Sequence, residues 1–229
     1  QGAELARALG ATPVYARYNS GLHVSENGRE LARRLEDLLA GWPVPVESLV
    51  TVGHSMRGLV ARSAAHQAVE GGHRWPVLLR QMVFLGTPHH GAALERGGNW
   101  LHTVLGASPY LAPFTRLGRV RSDGITDLRH GNLLGSDWAG NRFEHRDTRT
   151  MVPLPALVDC YAVAGELPGT AGSVLGDGLV SVDSAFGRHP RRTHALRLPP
   201  SHTWVARGTH HLDLLSDPRV QRKLRQWLR

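Results

Sequence analysis

The sequence predicts an α/β fold in which a mostly parallel sheet is covered by helices on both faces. Three continuous apolar runs, at 48–52, 81–85 and 158–164, have the length and composition of buried strands. Segments with apolar residues at helical spacing separate them, which is the alternation typical of a parallel sheet. At 229 residues the chain is long enough for one domain with a sizeable core, and we assign residues 1–229 to it.

The N-terminal part predicts helices, a short β run and the first buried strand. Ser25 is the predicted N-cap of an amphipathic helix. Gly41-Trp42-Pro43 is predicted to end that helix. The other elements are a helix over 1–9 ending at Gly10, a β run over 14–18, the strand 48–52 leading into Ser55, and a helix over 58–70.

After the strand at 81–85 the pattern weakens to Gly, Pro, Asn and Arg with short helix-like pieces. We interpret residues of about 92–150 as a cap-like helical and loop insertion over the sheet, because their periodic apolar content is too low for a separate domain. The later elements are the strand 158–164, a glycine-rich loop, G-D-G-L-V at 176–180, a last strand at 194–198 or 202–206, and a C-terminal helical region.

The formal charge of +8 comes almost entirely from arginine, because Lys223 is the only lysine. The arginines are scattered and accompany no nucleic-acid motif, so we expect no nucleic-acid partner, while transient contact with an anionic membrane surface stays open. No apolar stretch is long enough to span a bilayer. The lone cysteine, Cys160, lies in an apolar run and is expected to be a buried, inert thiol, which favours a cytoplasmic protein.

The stretch G-H-S-M-R-G around Ser55 has features of a nucleophile elbow, a sharp turn between a strand and a helix. A serine hydroxyl needs a base to take its proton and an acid to orient that base, and in α/β-hydrolases these follow in the order Ser, Asp or Glu, His. Ser55, Asp177 and His211 supply that order. Asp183 and His210 are the alternatives for acid and base, although a helix N-cap is the more ordinary role for Asp183.

Four motifs in this order resemble the lipase and esterase branch of the α/β-hydrolases: G-H-S-M-x-G-L-V-A-R, F-L-G-T-P-H-H-G, G-D-G-L-V and H-L-D-L-L. The chain is similar along its whole length to bacterial proteins grouped with the GPI inositol-deacylase-like hydrolases, and bacterial triacylglycerol lipases share the D-G-L-V and H-L-D elements. The resemblance implies an α/β-hydrolase fold and a serine hydrolase that cleaves lipid-like or other acyl esters through an acyl-serine. Ser55 would be the nucleophile, Asp177 the orienting acid and His211 the general acid and base, with no cofactor.

Further residues are expected around this centre. The backbone N–H of Met56, directly after the nucleophile, is a predicted donor to the oxyanion. His54 is expected to pack against the sheet, whereas His89 and His90 either line the pocket or are hydrogen-bonded loop residues. The pocket candidates are His54, Leu85, Thr87, His89 and His90.

Asp213 and Asp217 follow the predicted base, in a neighbourhood that helps to hold a structural calcium in related bacterial lipases. No matching upstream carboxylate accompanies them, so calcium is a secondary hypothesis, and Asp213 is first of all a second-layer or helix-start residue. His189, His194 and His202 show no partner in the sequence pattern and are expected at the surface.

Two departures from the family pattern raise the alternative of a catalytically weak or inactive, hydrolase-like binding protein. Arg57 stands where an elbow usually has its second glycine, and Gly58 comes one place late, which predicts backbone strain of about 1–3 kcal/mol or intrusion into the pocket. No motif for the second oxyanion donor precedes Ser55, so we expect that donor and the first strands of the sheet to lie upstream of Gln1. The pattern indicates neither the natural substrate nor the oligomeric state.

Overall fold

The computed structural model describes residues 2–91, 123–138, 147, 149–168 and 176–229. Within them, four strands form one parallel sheet in the order β1-β2-β3-β4. The strands are β1 (Leu49–His54), β2 (Leu79–Leu85), β3 (Asp159–Glu166) and β4 (Thr203–Arg207). The described α-helices are α1 (Gly2–Ala8), α2 (Val24–Ala40), α3 (Met56–Glu70), α4 (Asp123–Asp127), α5 (Val182–Ala185) and α6 (Pro218–Trp227).

Both faces of the sheet are buried at β2, whereas Val50 and Val52 on one face of β1 are 36% and 45% exposed. Met82 and Phe84 point to one face, where they pack in a cluster with alanines of α2 and α3. Val83 and Leu85 point to the other face and pack with residues of α1 and α6. Because successive side chains of a strand alternate between faces, a strand covered on both sides has to be apolar throughout. The predicted parallel sheet with helices on both faces is confirmed.

The three apolar runs are strands: β1 and β3 start one residue later and end two residues later than predicted, and β2 starts two residues earlier; the C-terminal alternative at 202–206 corresponds to β4. The alternative at 194–198 is wrong. The β run predicted over 14–18 is also wrong, because these residues form no strand. Val14 and Tyr15 are 56% and 70% exposed, and among the described residues no strand pairs with the outer edge of β1. Apolar residues without a neighbouring strand to bond to stay irregular.

Helix α2 begins one residue before the predicted cap, Ser25, which lies inside the helix. Its first amide, Val24 N–H, donates to Asp127 Oδ2 over 2.8 Å, and the Glu26 carboxylate accepts from His23 N–H over 3.0 Å. A carboxylate from a distant part of the chain therefore satisfies the helix terminus, a role usually filled by a residue next to it.

The insertion expected over about 92–150 lies mostly outside the described residues. Its described part, 123–138, contains α4 and lies against the start of α2, where Trp138 stacks on His23 with ring centroids 3.9 Å apart. Among the described residues, no helix combines the length and apolar character that crossing a membrane requires.

Candidate active site

Ser55 occupies a strained backbone conformation at the junction of β1 and α3. Its φ of 56° and ψ of −132° fall in a region that residues other than glycine avoid. Ser55 N–H donates to Leu85 O at the end of β2 over 2.8 Å, and Ser55 O accepts from Gly58 N–H over 3.0 Å. Helix α3 starts at Met56, so Met56 N–H is one of the terminal amides that have no acceptor within the helix. This strand–turn–helix geometry is that of a nucleophile elbow.

The close approach in the elbow joins Gly53 and Gly58. A Cβ on Gly53 would lie 2.6 Å from Gly58 Cα, and a Cβ on Gly58 would run into the Thr87 side chain. Arg57 has an exposed side chain, lies inside α3 and does not have a positive φ. The prediction that Arg57 strains the elbow is therefore wrong: the second glycine is needed at position 58, where the sequence has it.

Asp177 and His211 form a buried pair at the carboxyl ends of β3 and β4. His211 Nδ1 lies 2.7 Å from Asp177 Oδ2, and the side chains are 5% and 1% exposed. The other carboxylate oxygen, Oδ1, accepts the backbone N–H groups of Leu179 and Val180 over 3.0 and 2.8 Å. Three donors thus fix the carboxylate, which holds the imidazole with its proton on Nδ1. His211 Nε2 has no hydrogen-bond partner among the described residues.

The backbone around Ser55 adjoins this pair through two contacts. His54 Nε2 donates to the backbone carbonyl of His211 over 2.9 Å. Gly86, the residue after the acceptor of Ser55 N–H, packs so closely that an added Cβ would lie 3.0 Å from both His211 Cε1 and Asp177 Oδ2. Gly86 also has a φ of +53°, which favours glycine. The structure therefore brings Ser55, Asp177 and His211 to one edge of the sheet, where the carboxyl ends of parallel strands meet.

His54 has a more specific role than packing against the sheet, which was its expected one. Because a carbonyl only accepts, His54 Nε2 carries the hydrogen of this bond. Burial, helped by the neighbouring His211 and Arg57, lowers the pKa of His54 to about 3. His54 thus remains neutral over the working pH range and anchors the backbone of the residue that carries the unpartnered imidazole nitrogen.

His89 and His90 are bonded to two arginines that the sequence reasoning missed. Arg62 Nη1 donates to His89 Nδ1 over 3.2 Å, and Arg149 Nη2 donates to His90 Nδ1 over 2.6 Å. Arg62, in α3, also donates to Val152 O, and burial lowers its pKa to about 9. Burial likewise lowers the pKa of His89 far below its ordinary value and that of His90 to about 4. Both histidines are therefore hydrogen-bonded residues, which was the second of the two expected roles. A lone arginine among the small, buried residues of α3 was the available signal.

The other pocket candidates are buried at the end of β2. Leu85 closes the strand, and Thr87 is completely buried against Gly58, with no hydrogen-bond partner for its hydroxyl among the described residues.

The alternative acid and base are exposed, unlike the buried pair. His210 is exposed, and Asp183 is an exposed residue of α5 that pairs with Arg188 over 3.4 Å. The N-cap role expected for Asp183 is also wrong, because Ser181 caps α5 by accepting Ser184 N–H. The carboxylate that bonds the His211 ring is that of Asp177.

The three histidines expected at the surface without partners have partners. The His189 ring lies 5.0 Å from the rings of both His90 and His194. His202 Nδ1 lies 3.1 Å from Cys160 O. Cys160 is buried, as expected, and burial raises the pKa of its thiol to about 12, so it remains protonated.

The two aspartates after His211 lie at helix starts. Asp213 begins a 3₁₀ turn, as one of its expected roles has it, and Asp217 caps α6. The Asp217 carboxylate accepts Arg219 N–H and the Thr209 hydroxyl over 2.7 and 2.9 Å, and the Arg219 guanidinium lowers its pKa. Among the described residues no group of three or more His, Cys, Asp or Glu could hold a metal ion. Calcium binding at Asp213 and Asp217 stays a prediction.

Comparison with known protein families identifies one whose model matches this chain. The family model of the PGAP1-like alpha/beta domain matches residues 29–152, more than half of the chain and including Ser55. Phospholipase PlaB from Legionella pneumophila is 16% identical with a TM-score of 0.46; the match covers 76% of this chain and 36% of that one.

A putative hydrolase from Agrobacterium vitis S4 is 14% identical over 99% of this chain and 78% of its own, with a TM-score of 0.44. RedJ is 18% identical over 96% and 98%, with a TM-score of 0.42. This chain thus spans about a third of the length of PlaB. No curated protein matches it.

Proposed function

Since the chain belongs to the PGAP1-like alpha/beta domain family, we propose that it is a serine hydrolase that cleaves carboxylic esters of lipid-like or other acyl compounds. The observation that supports the proposal is the buried Asp177–His211 pair, in which His211 Nε2 has no partner among the described residues and the His211 backbone is bonded to His54, the residue before the strained Ser55. A buried imidazole with an oriented proton on one nitrogen and a free lone pair on the other is what a general base requires.

In the proposed reaction, His211 Nε2 takes the proton of the Ser55 hydroxyl while Ser55 Oγ bonds to the carbonyl carbon of the ester. The charge on the carbonyl oxygen is stabilised by Met56 N–H, whose position at the start of α3 adds the partial positive charge of a helix terminus. The tetrahedral intermediate collapses, His211 protonates the leaving alcohol, and an acyl-serine remains. Water, deprotonated by the same imidazole, then releases the carboxylic acid and restores Ser55.

Asp177 acts on this reaction through His211. Its negative charge stabilises the imidazolium that forms in each half-reaction, and its hydrogen bond keeps the proton on Nδ1. His54 fixes the backbone of His211 and is a positioning residue. No cofactor is required for these steps; a calcium ion near Asp213 and Asp217 would be structural.

The alternative of an inactive binding protein loses one of its two supports. It was motivated by strain at Arg57, whereas the close approach is made by Gly58 and the Arg57 side chain is exposed. The proposed partners are therefore small-molecule or lipid esters, with transient contact to an anionic membrane surface and no nucleic acid.

Hydrolysis of p-nitrophenyl butyrate by the protein and by Ser55→Ala tests the proposal. We expect Ser55→Ala to lose at least about 10³-fold in kcat/KM, because no other group can form the acyl intermediate. Ser63→Ala is the control: it removes the hydroxyl of another serine, in α3, which donates to Leu133 O, and the folded variant should keep its activity. Equal rates for the protein and Ser55→Ala would contradict the proposal.

A further inference from the structure

We infer that a second site, built from His189, Arg192, Ala195 and Arg197, binds a phosphate group. These four residues line a cavity of about 480 Å³, which we call the basic pocket. Its volume falls within the range of ligand sites, and three of its four lining side chains are cationic or able to become so. Arg192 and Arg197 are exposed, so the pocket is open to solvent.

The loop that carries the basic pocket has no acidic residue. The segment 186–199 contains four arginines and two histidines and neither Asp nor Glu. Two described carboxylates near it are paired with other arginines: Asp183 with Arg188 over 3.4 Å, and Asp147 with Arg149 over 3.2 Å. Within the described part of the chain, Arg192 and Arg197 have no carboxylate partner. Two unneutralised guanidiniums in one cavity favour an anion.

The backbone at Arg197 is held in a form that costs free energy. Its φ is +54°, one of three positive values among the described non-glycine residues. Leu196, directly before it, is buried, and its N–H donates to Gly187 O over 2.9 Å, which anchors the strained residue. Backbone strain at a residue whose long side chain lines a cavity is more typical of a binding site than of a solvated surface loop.

The basic pocket continues toward the candidate active site through a row of rings. His189 lies between His194 and His90, with 5.0 Å between centroids on each side, and Arg149 donates to His90. His90 is four residues after Gly86, which packs against His211. Four residues span at most about 14 Å, so His90 and the His189 ring that it contacts connect the basic pocket with the neighbourhood of His211.

Phosphate fits these groups better than other common anions. A guanidinium binds two phosphate oxygens at once, and a phosphate carries up to two negative charges and several acceptor oxygens for a pair of arginines and an imidazole. The phosphate can belong to an ester substrate whose acyl carbonyl reaches Ser55, or it can be a free ion. The first source rests on the proposed function, and the second does not.

Calorimetric titration of inorganic phosphate into the Ser55→Ala protein tests binding without turnover. Sodium chloride at matched ionic strength is the reference. We expect saturable binding that weakens at least tenfold in Arg192→Gln/Arg197→Gln, or in Arg192→Gln alone if the double variant does not fold. Arg191→Gln, an exposed arginine of the same loop outside the pocket lining, should change the affinity less than twofold. Absent binding, or equal losses in the pocket and control variants, overturns the inference.

A kinetic arm with the Ser55 protein distinguishes the two sources. If the phosphate is part of the substrate, the ratio of kcat/KM for 12-(butanoyloxy)dodecyl phosphate, whose long chain separates the phosphate from the ester, to that for dodecyl butanoate falls at least tenfold in Arg192→Gln/Arg197→Gln. Phosphate binding with an unchanged ratio identifies the free ion as the ligand and supports the site. If neither ester is hydrolysed, the proposed function fails, whereas the calorimetric result still decides this inference.

Discussion

Replacement of Asp177 by asparagine should remove catalysis while preserving the shape of the site. The backbone N–H groups of Leu179 and Val180 both donate to Asp177 Oδ1, so an acceptor is required at that position. In Asp177→Asn the amide oxygen therefore takes the Oδ1 place, and the NH₂ group faces His211 Nδ1. A donor at this point forces Nδ1 to accept, which moves the imidazole proton to Nε2. His211 then has no lone pair for the Ser55 proton.

The size of this effect follows from the change of tautomer. The same exchange in a catalytic triad lowers kcat about 10⁴-fold, equivalent to about 5.4 kcal/mol at 1.36 kcal/mol per tenfold. We expect Asp177→Asn to lose about 10³- to 10⁴-fold in kcat toward p-nitrophenyl butyrate, with little change in KM. Asp183→Asn is the matched control, because it makes the same chemical change at an exposed carboxylate, and should remain within twofold.

The reasoning is refuted if folded Asp177→Asn, judged by its circular dichroism and melting temperature, retains more than a tenth of the kcat. It is equally refuted if Asp183→Asn loses as much.

Three further predictions concern the surroundings of the pair. His54→Phe should lower kcat about tenfold or more and the unfolding free energy by about 1–3 kcal/mol, because His211 O loses its buried donor. His54→Gln should recover part of the lost kcat and part of the lost stability, whereas unchanged kinetics in His54→Phe would contradict the positioning role. Gly53→Ala should lower the unfolding free energy measured in urea by about 1–3 kcal/mol, since the added Cβ would clash with the backbone at Gly58. Arg57→Gly should not raise kcat/KM; a gain in turnover would show that Arg57 impairs the elbow. The unfolding free energy should decline as pH falls below about 6.5, because the lowered pKa of His54 means that only the unfolded chain takes up the proton. This group contributes a slope of up to about 1.4 kcal/mol per pH unit. Equal urea midpoints at pH 7 and pH 5 would contradict the prediction.

The arrangement of the candidate site was predictable because it depends on chain order. Ser55, Asp177 and His211 each follow a strand of a parallel sheet, and the carboxyl ends of such strands share one edge. The motifs therefore predict where in the fold these three residues lie. The glycine at 58 could also have been chosen from the sequence, since Gly53 and Gly58 frame the turn; the usual spacing pointed to 57 instead.

Other contacts could not be read from local sequence because their partners are distant. Asp127 satisfies the first amide of α2 from 103 residues away, and Arg62 donates to a carbonyl 90 residues further along the chain. Each is an exposed residue type on average, and only the folded structure shows why it is buried. The β run predicted over 14–18 was wrong for a related reason: β-favouring side chains form a strand only where another strand supplies hydrogen-bond partners.

Covalent labelling with a fluorophosphonate tests most directly whether Ser55 is a nucleophile activated by His211. Fluorophosphonates phosphonylate activated serines, and the adduct is located by intact mass and peptide mass spectrometry. We predict one adduct per chain, on Ser55, none in Ser55→Ala, and a labelling rate at least about 10²-fold lower in His211→Ala, which lacks the base. His210→Ala, its exposed neighbour, should label at the rate of the unmodified protein. An adduct on another residue, or undiminished labelling in folded His211→Ala, would contradict the account.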